Sequence, residues 1–185
     1  PAAKAPLVSA DGSRVYIFEE NSGALGIGLA MTVDEGNKPV PCIANIEPGQ
    51  AADNIGTLKV CDYVLSVNDT PVLSMEMANT ILHSPARPLK LCVRTAPKAF
   101  KLHLFGAGPM GLTLSQPTAL QRVVVSEINP AGQAAAEFKT LRLGDSVVAI
   151  GAETAAGMGF EKVMGMLVTA ARPVVLKMKD ETVAP

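Results

Sequence analysis

Ile46-Glu47-Pro48-Gly49-Gln50-Ala51-Ala52 and Ile128-Asn129-Pro130-Ala131-Gly132-Gln133-Ala134-Ala135 are one phrase written twice, the second copy a residue longer. The register holds outward from it. Gly49 to Asp62 and Gly132 to Asp145 cover the same interval, with Thr57-Leu58-Lys59-Val60 over Thr140-Leu141-Arg142-Leu143. Further on, Ile81-Leu82 matches Met166-Leu167, and Ala86-Arg87-Pro88-Leu89-Lys90-Leu91 matches Ala171-Arg172-Pro173-Val174-Val175-Leu176. An internal repeat decides the fold before any single element does. Each copy is about eighty residues long, the size of a small domain.

Within each copy the apolar rhythm predicts three strands, a short helix, a strand, a longer helix and a last strand. Arg14 to Phe18 and Phe100 to Phe105 alternate and carry large or branched side chains, as half-buried strands do. A glycine-rich turn follows each. Strands are then expected at Leu29 to Val33 and Pro41 to Ile46, and at Leu112 to Ser115 and Arg122 to Ile128. The Gly-Gln-Ala-Ala phrases suit the short helix. Asp62 to Val67 and Asp145 to Ile150 read as strands, Met75 to His83 and Phe160 to Thr169 as the longer helices, and Leu89 to Thr95 and Val174 to Met178 as closing strands.

Composition narrows the function. Apolar residues make up 48% of the 185 and aromatic ones 4%, so the core must be aliphatic. A net charge of −1, with no basic run interleaved with aromatics, argues against nucleic acid. No apolar stretch reaches the roughly 20 residues a membrane span needs, so no direct membrane insertion is expected. Cys42, Cys61 and Cys92 are odd in number and lack ligand spacing, which predicts reduced, half-buried thiols and no metal site. There is no Gly-x-Ser-x-Gly or His-Glu-x-x-His motif, and His83 and His103 read as solvent-facing or capping residues. No catalytic residue and no cofactor are expected.

The order of elements resembles the PDZ family over nearly the whole chain. Gly26-Ile27-Gly28-Leu29 is similar to that family's Gly-Leu-Gly-Phe loop, and Pro109-Met110-Gly111-Leu112 is a looser match. Leu141-Arg142-Leu143-Gly144-Asp145 with Val147-Val148-Ala149-Ile150-Gly151 resembles the family's helix-to-strand phrase, as does Leu58-Lys59-Val60-Cys61-Asp62. The resemblance implies an α+β chain of two tandem PDZ-like domains. Each would be a small, partly open antiparallel β-barrel or sandwich of five to six strands capped by two helices. The expected division is a tail over 1–13, domains over 14–95 and 100–180, a linker at 96–99 and a tail over 181–185. Cys61, where the family and the second copy have Gly, implies a strained turn.

A glycine-rich turn can aim successive backbone N–H groups into one hollow and hold a terminal carboxylate. By the resemblance the donors are Ile27, Gly28 and Leu29 in the first copy, and Met110, Gly111 and Leu112 in the second. The bound tail would add a strand against Ala30, Met31 and Thr32, or against Thr113, Leu114 and Ser115. Helix positions carried over from the family fall on Met75, Asn79 and Leu82, and on Phe160, Met164 and Leu167. Neither Met75 nor Phe160 can hydrogen-bond a hydroxyl, so apolar side chains are expected at the last and third-last ligand positions. Met31, Met75, Met110 and Met164 would make adaptable walls.

Many PDZ domains place a basic residue shortly before the glycine loop. Here the first copy offers Glu19 and Glu20 and the second no basic residue between Leu102 and Leu112, which predicts a first groove that binds weakly, takes an internal segment or is permanently occupied. The leading reading is a non-catalytic scaffold binding hydrophobic C-terminal or internal segments of partners, membrane-protein tails among them. The alternative is a structural subunit assembled through other surfaces; a regulatory PDZ region of a protease comes third. From Arg14 to Thr95 there are six basic and nine acidic residues, and from Lys98 to Asp180 nine and six, a balance compatible with self-association. The expected location is cytoplasmic or peripheral to a membrane, or an organelle after loss of a targeting peptide.

Overall fold

The computed structural model describes residues 5–83 and 87–181. The chain divides into two compact units, one over 1–34 and 38–96 and the other over 97–185 together with 35–37.

In the first unit, β1 (Leu7–Val8), β2 (Arg14–Phe18), β3 (Ile27–Val33), β4 (Pro39–Ile46), β5 (Tyr63–Val67), β6 (Thr70–Pro71) and β7 (Leu89–Arg94) form one sheet. Its order is β1-β2-β7-β5-β4-β3, with β6 beside β5, and every pairing is antiparallel. Helix α1 (Ala51–Ile55) follows β4, and α2 (Met75–Leu82) precedes β7. Alternation along β7 buries Leu89, Leu91 and Val93, which join Ile43 and Val64 in a core closed by Ala78 and Leu82 of α2; Tyr16 and Phe18 are buried in it too, so the few aromatic residues enter a core that composition had made wholly aliphatic. Fully burying a side chain of this size contributes about 1.5–3 kcal/mol.

The second unit repeats the plan. Strands β8 (Phe100–Phe105), β9 (Leu112–Ser115), β10 (Val124–Ile128), β11 (Ser146–Ile150), β12 (Glu153–Thr154) and β13 (Val174–Lys179) assemble in the order β8-β13-β11-β10-β9, with β12 beside β11. Helices α3 (Gln133–Glu137) and α4 (Phe160–Thr169) occupy the places of α1 and α2. Phe105, Val125, Val147, Leu176 and Met178 centre the core, with Val163 and Leu167 of α4 over them.

Both units are α+β, with open antiparallel sheets. Several features depart from expectation: the short strands β6 and β12 were not expected, β4 starts two residues earlier than expected and β10 two residues later. Leu7–Val8 lies within the stretch read as a tail, yet it pairs with Val15 and Arg14 and takes the first sheet to seven strands. Strand β3 starts at Ile27, two residues earlier than its apolar run suggested. Cys61 does adopt a left-handed turn, φ +70°, where Gly144 has φ +88°. The two turns make matching bonds, Cys61 N–H to Ile43 O and Gly144 N–H to Val125 O. Among the described residues no helix is long and apolar enough to cross a membrane.

Candidate functional site

Each unit ends its sheet on the strand after the glycine-rich turn, β3 in one and β9 in the other. An edge strand presents unpaired backbone groups to whatever lies beside it. In the first unit α2 packs against β3. In the second, α4 and β9 line one cavity, and Gln116, just past β9, accepts from the Phe160 N–H at 2.9 Å at the start of α4. Helix α2 is capped from within, the Ser74 hydroxyl accepting from Met77 N–H at 3.2 Å.

The glycine loops are set by three carbonyls in each unit. Ala24, Leu25 and Gly26 accept from the N–H groups of Ala51, Ala52 and Glu47. Pro109, Met110 and Gly111 accept in the same order from Gln133, Ala134 and Asn129. With the carbonyls turned toward the short helix, the Leu25, Gly26, Met110 and Gly111 amides donate to no acceptor among the described residues. Gly26 (φ +66°) and Gly111 (φ +71°) occupy left-handed positions. A Cβ on Gly26 would lie 2.4 Å from Gln50 Cβ, and one on Gly111 would lie 2.6 Å from Gly132 Cα.

This geometry moves the first loop. Its structural counterpart of Pro109-Met110-Gly111-Leu112 is Ala24-Leu25-Gly26-Ile27, two residues before the stretch chosen from the sequence. Gly28 and Leu29 are strand residues opposite Asn45 and Ile43, at a β-bulge, and of the expected first-unit donors only Ile27 belongs to the loop. The reason is a local ambiguity: Leu25-Gly26-Ile27 and Ile27-Gly28-Leu29 carry the same apolar-Gly-apolar pattern two residues apart. Only Gly26 has the positive φ and the close approach that require glycine. Met110, Gly111 and Leu112 stand at the second loop, where they were expected.

A cavity of about 310 Å³ opens at the first loop, lined by Ala24, Leu25, Gly26, Ile27, Glu47, Leu82, His83 and Arg87. Of the helix positions, Leu82 lines it, whereas Met75 and Asn79 lie toward the other end of α2 and stand outside it. Along β3, Ala30 and Thr32 are buried and Met31 is half-buried. The second cavity, about 470 Å³, is lined by Met110, Gly111, Leu112, Leu114, Met164, Leu167 and Val168 together with Gly108, Pro109, Ala170 and Arg172. Met164 and Leu167 are thus at the cavity and Phe160 is not. Thr113 is exposed, its carbonyl accepting from the Ser126 hydroxyl at 3.1 Å, and Ser115 is half-buried.

Sequence reasoning missed Arg87 and Arg172, each of which lines its unit's cavity. The family resemblance implies a cation shortly before each loop, whereas these arginines follow the long helix, about sixty residues after the loop glycine. The signal was present in the repeat itself, since Gly26 and Gly111, Leu82 and Leu167, and Arg87 and Arg172 are each separated by 85 positions.

Away from the grooves, each unit buries one aspartate beneath a cation. Arg14 Nη2 donates to Asp62 Oδ2 at 2.6 Å, the Thr95 hydroxyl to Oδ1 at 2.7 Å and Lys59 N–H to Oδ2 at 3.0 Å. Lys101 Nζ donates to both Asp145 oxygens at 3.0 and 3.1 Å, Arg142 N–H donates to Asp145 Oδ2 at 2.9 Å, and Lys101 also lies 2.8 Å from Asp180 Oδ2. His83 caps α2, its Nδ1 2.8 Å from the Asn79 carbonyl oxygen. His103, expected to be exposed or capping, is instead buried against Phe138. Burial pushes its pKa down to about 4, with Asp145 raising it and Lys101 lowering it. The cysteines are free thiols; burial raises Cys42 well above the ordinary thiol range and Cys61 to about 11.

Residues 14–94 match the PDZ domain family, so the first unit belongs to it, and the second unit repeats the first nearly element for element. PDZ domains are protein-interaction modules. Glutamate receptor-interacting protein 1 of Rattus norvegicus and its Mus musculus counterpart are each 24% identical over 196 residues, covering 97% of this chain. The chain spans 17% of the length of those relatives. Among solved structures, INAD PDZ45 in complex with NG2 peptide is 16% identical at TM-score 0.41, covering 100% of both chains. Dlg1 PDZ2 of the choanoflagellate Monosiga brevicollis is 30% identical at TM-score 0.40, covering 45% of this chain and 98% of that one.

Proposed function

We propose that the chain is a non-catalytic scaffold segment whose two domains, over 14–95 and 100–180, bind hydrophobic peptide segments of partner proteins by strand addition to β3 and β9. The carrying observation is the loop geometry: in both units two consecutive amides beside a cavity, mainly apolar in the second unit, are without an acceptor among the described residues, next to an edge strand. Amides so placed hold a carboxylate, and the edge supplies backbone pairing along the rest of the segment. The carboxylate donors are then Leu25, Gly26 and Ile27 in the first unit and Met110, Gly111 and Leu112 in the second. The walls are Leu82 in the first and Leu114, Met164 and Leu167 in the second, while Met75 and Phe160 meet ligand residues further from the terminus. Partners of this kind include the tails of membrane proteins, and a location in the cytoplasm or at a membrane surface, or in an organelle after loss of a targeting peptide, is proposed with them.

The test is an NMR titration of the full chain with an uncharged peptide ending in Leu, as free acid and as C-terminal amide. The free acid is expected to move the amide signals of 25–27 or 110–112 together with those of β3 or β9, and the amidated peptide to bind far more weakly. Equal binding of both forms along the edge strands would replace chain-end recognition with an internal segment. Absence of any shift at loops and edges would overturn the groove reading altogether.

A further inference from the structure

The second cavity carries a single charge. Of the residues that line it only Arg172 is ionised, and the remainder are Gly, Pro, Ala and aliphatic or thioether side chains. Arg172 stands between α4 and β13, is exposed, and makes no hydrogen bond or ion pair with any described residue. The Met110 and Gly111 amides, on the loop lining the same cavity, also have no acceptor among those residues. An uncommitted guanidinium and two uncommitted N–H donors around an otherwise apolar hollow suit a ligand that is anionic at one point and greasy beside it. A chain terminus with a large apolar last residue has that chemistry.

We infer that Arg172 is a specificity-determining residue of the second groove, its guanidinium pairing with the ligand's terminal carboxylate alongside the loop amides. The inference rests on the groove reading above. A planar fork of donors matches a carboxylate in two parallel bonds, and charge-assisted bonds of this kind are about twice as strong as neutral ones. The first unit has the same residue in a different setting. Arg87 is half-buried, with Nη2 3.5 Å from the Gly23 carbonyl oxygen, and Glu47 lines the same cavity. A carboxylate already present opposes a second one, so chain-end reading by a cation belongs to the second unit.

Fluorescence polarisation of the full chain tests this, using dye-labelled, otherwise uncharged peptides ending in Leu or Phe as free acid and as amide. Arg172→Met is expected to weaken the free acid about ten-fold and to shrink the acid-to-amide ratio by the same factor, with Arg172→Lys recovering part of the loss. Arg87→Met is expected to change the acid-to-amide ratio less than Arg172→Met does. In the parent, the free acid should also move the Arg172 side-chain N–H signal, a readout that needs no variant. If Arg172→Met keeps the parent's affinity and discrimination, Arg172 has no part and the loop amides suffice. If Arg87→Met produces the loss instead, the inference is overturned in favour of the first unit. A parent chain indifferent to the acid would sink the chain-end groove reading itself, a result distinguishable from failure of Arg172 alone.

Discussion

The first unit and the second share a plan and differ in what fills its equivalent places. Strand pairing sets Arg14 opposite Val93 and Lys101 opposite Met178, and Tyr16 opposite Leu91 where His103 faces Leu176. Arg14 and Lys101 thus do the same work on Asp62 and Asp145, but Lys101 has a second carboxylate in Asp180. Tyr16 takes a hydrogen bond from the Thr57 hydroxyl at 3.2 Å, whereas His103 Nε2 is buried with no hydrogen-bond partner among the described residues. The loops differ likewise. Gln133 braces the second, accepting from Gly106 N–H at 3.0 Å and donating to the Ala107 carbonyl at 2.7 Å, while Ala51 stands at its place in the first. A duplicated fold therefore fixes backbone and core while leaving polar anchors and groove linings free to diverge.

The aspartates offer the hardest test of that equivalence. Asp62→Ala should destabilise the first unit by about 3–5 kcal/mol, because the Thr95 hydroxyl and the Lys59 amide lose their acceptor and Arg14 keeps only neutral ones, the Thr57 carbonyl and the Thr95 hydroxyl. Asp145→Ala should cost the second unit less, about 2–3 kcal/mol, because Lys101 keeps Asp180. Residue-resolved amide exchange on the full chain separates the units. Equal losses would mean that Asp180 does not act as the second acceptor.

The buried imidazole should make the second unit the acid-sensitive one. With a folded pKa near 4 against 6.5 for the unperturbed group, the unfolded chain takes up a proton between those values that the folded chain refuses. The His103 contribution is then fully present above about pH 6.5 and is lost as pH falls toward 4, amounting to about 3 kcal/mol at the lower end. His103→Tyr imports the first unit's solution, with Thr140 at the position of Thr57, and should flatten this slope in unfolding curves between pH 7 and 4. A slope unchanged by the substitution would assign the acid sensitivity to other groups.

The smallest effect separates two neighbouring glycines. Gly26→Ala forces a side chain into a left-handed backbone against Gln50 and should cost about 2–3 kcal/mol, with loss of signal dispersion at the loop. At Gly28 the added Cβ would meet Asn45 Cβ at 3.3 Å from an ordinary backbone, so Gly28→Ala should cost about 1 kcal/mol or less. The reverse ranking in thermal unfolding would return the loop to Gly28.

The tandem plan was legible because repetition is read without any physics of contact. Arg14–Phe18 and Phe100–Phe105 were bounded correctly, and the helices that start at Met75 and Phe160 within a residue at their ends, since alternation and helical period are local properties. Leu82, Met164 and Leu167, positions that follow from a helix register counted back from a well-marked strand, line the cavities, whereas Met75, Asn79 and Phe160 from the same count do not. Leu7–Val8 was missed: two residues carry no period, and their strand exists only through pairing with Val15 and Arg14.

The sequence by itself determined the duplication and the α+β order, because these follow from spacing along the chain. Which glycine turns the first loop was decided only in three dimensions. So were the burial of His103 and the arrival of Arg87 and Arg172 at the loops. Each depends on a close approach between segments distant in sequence, where a few ångströms between Gly26 and Gln50, or between a helix end and a turn, select one arrangement among several that the residues alone allow.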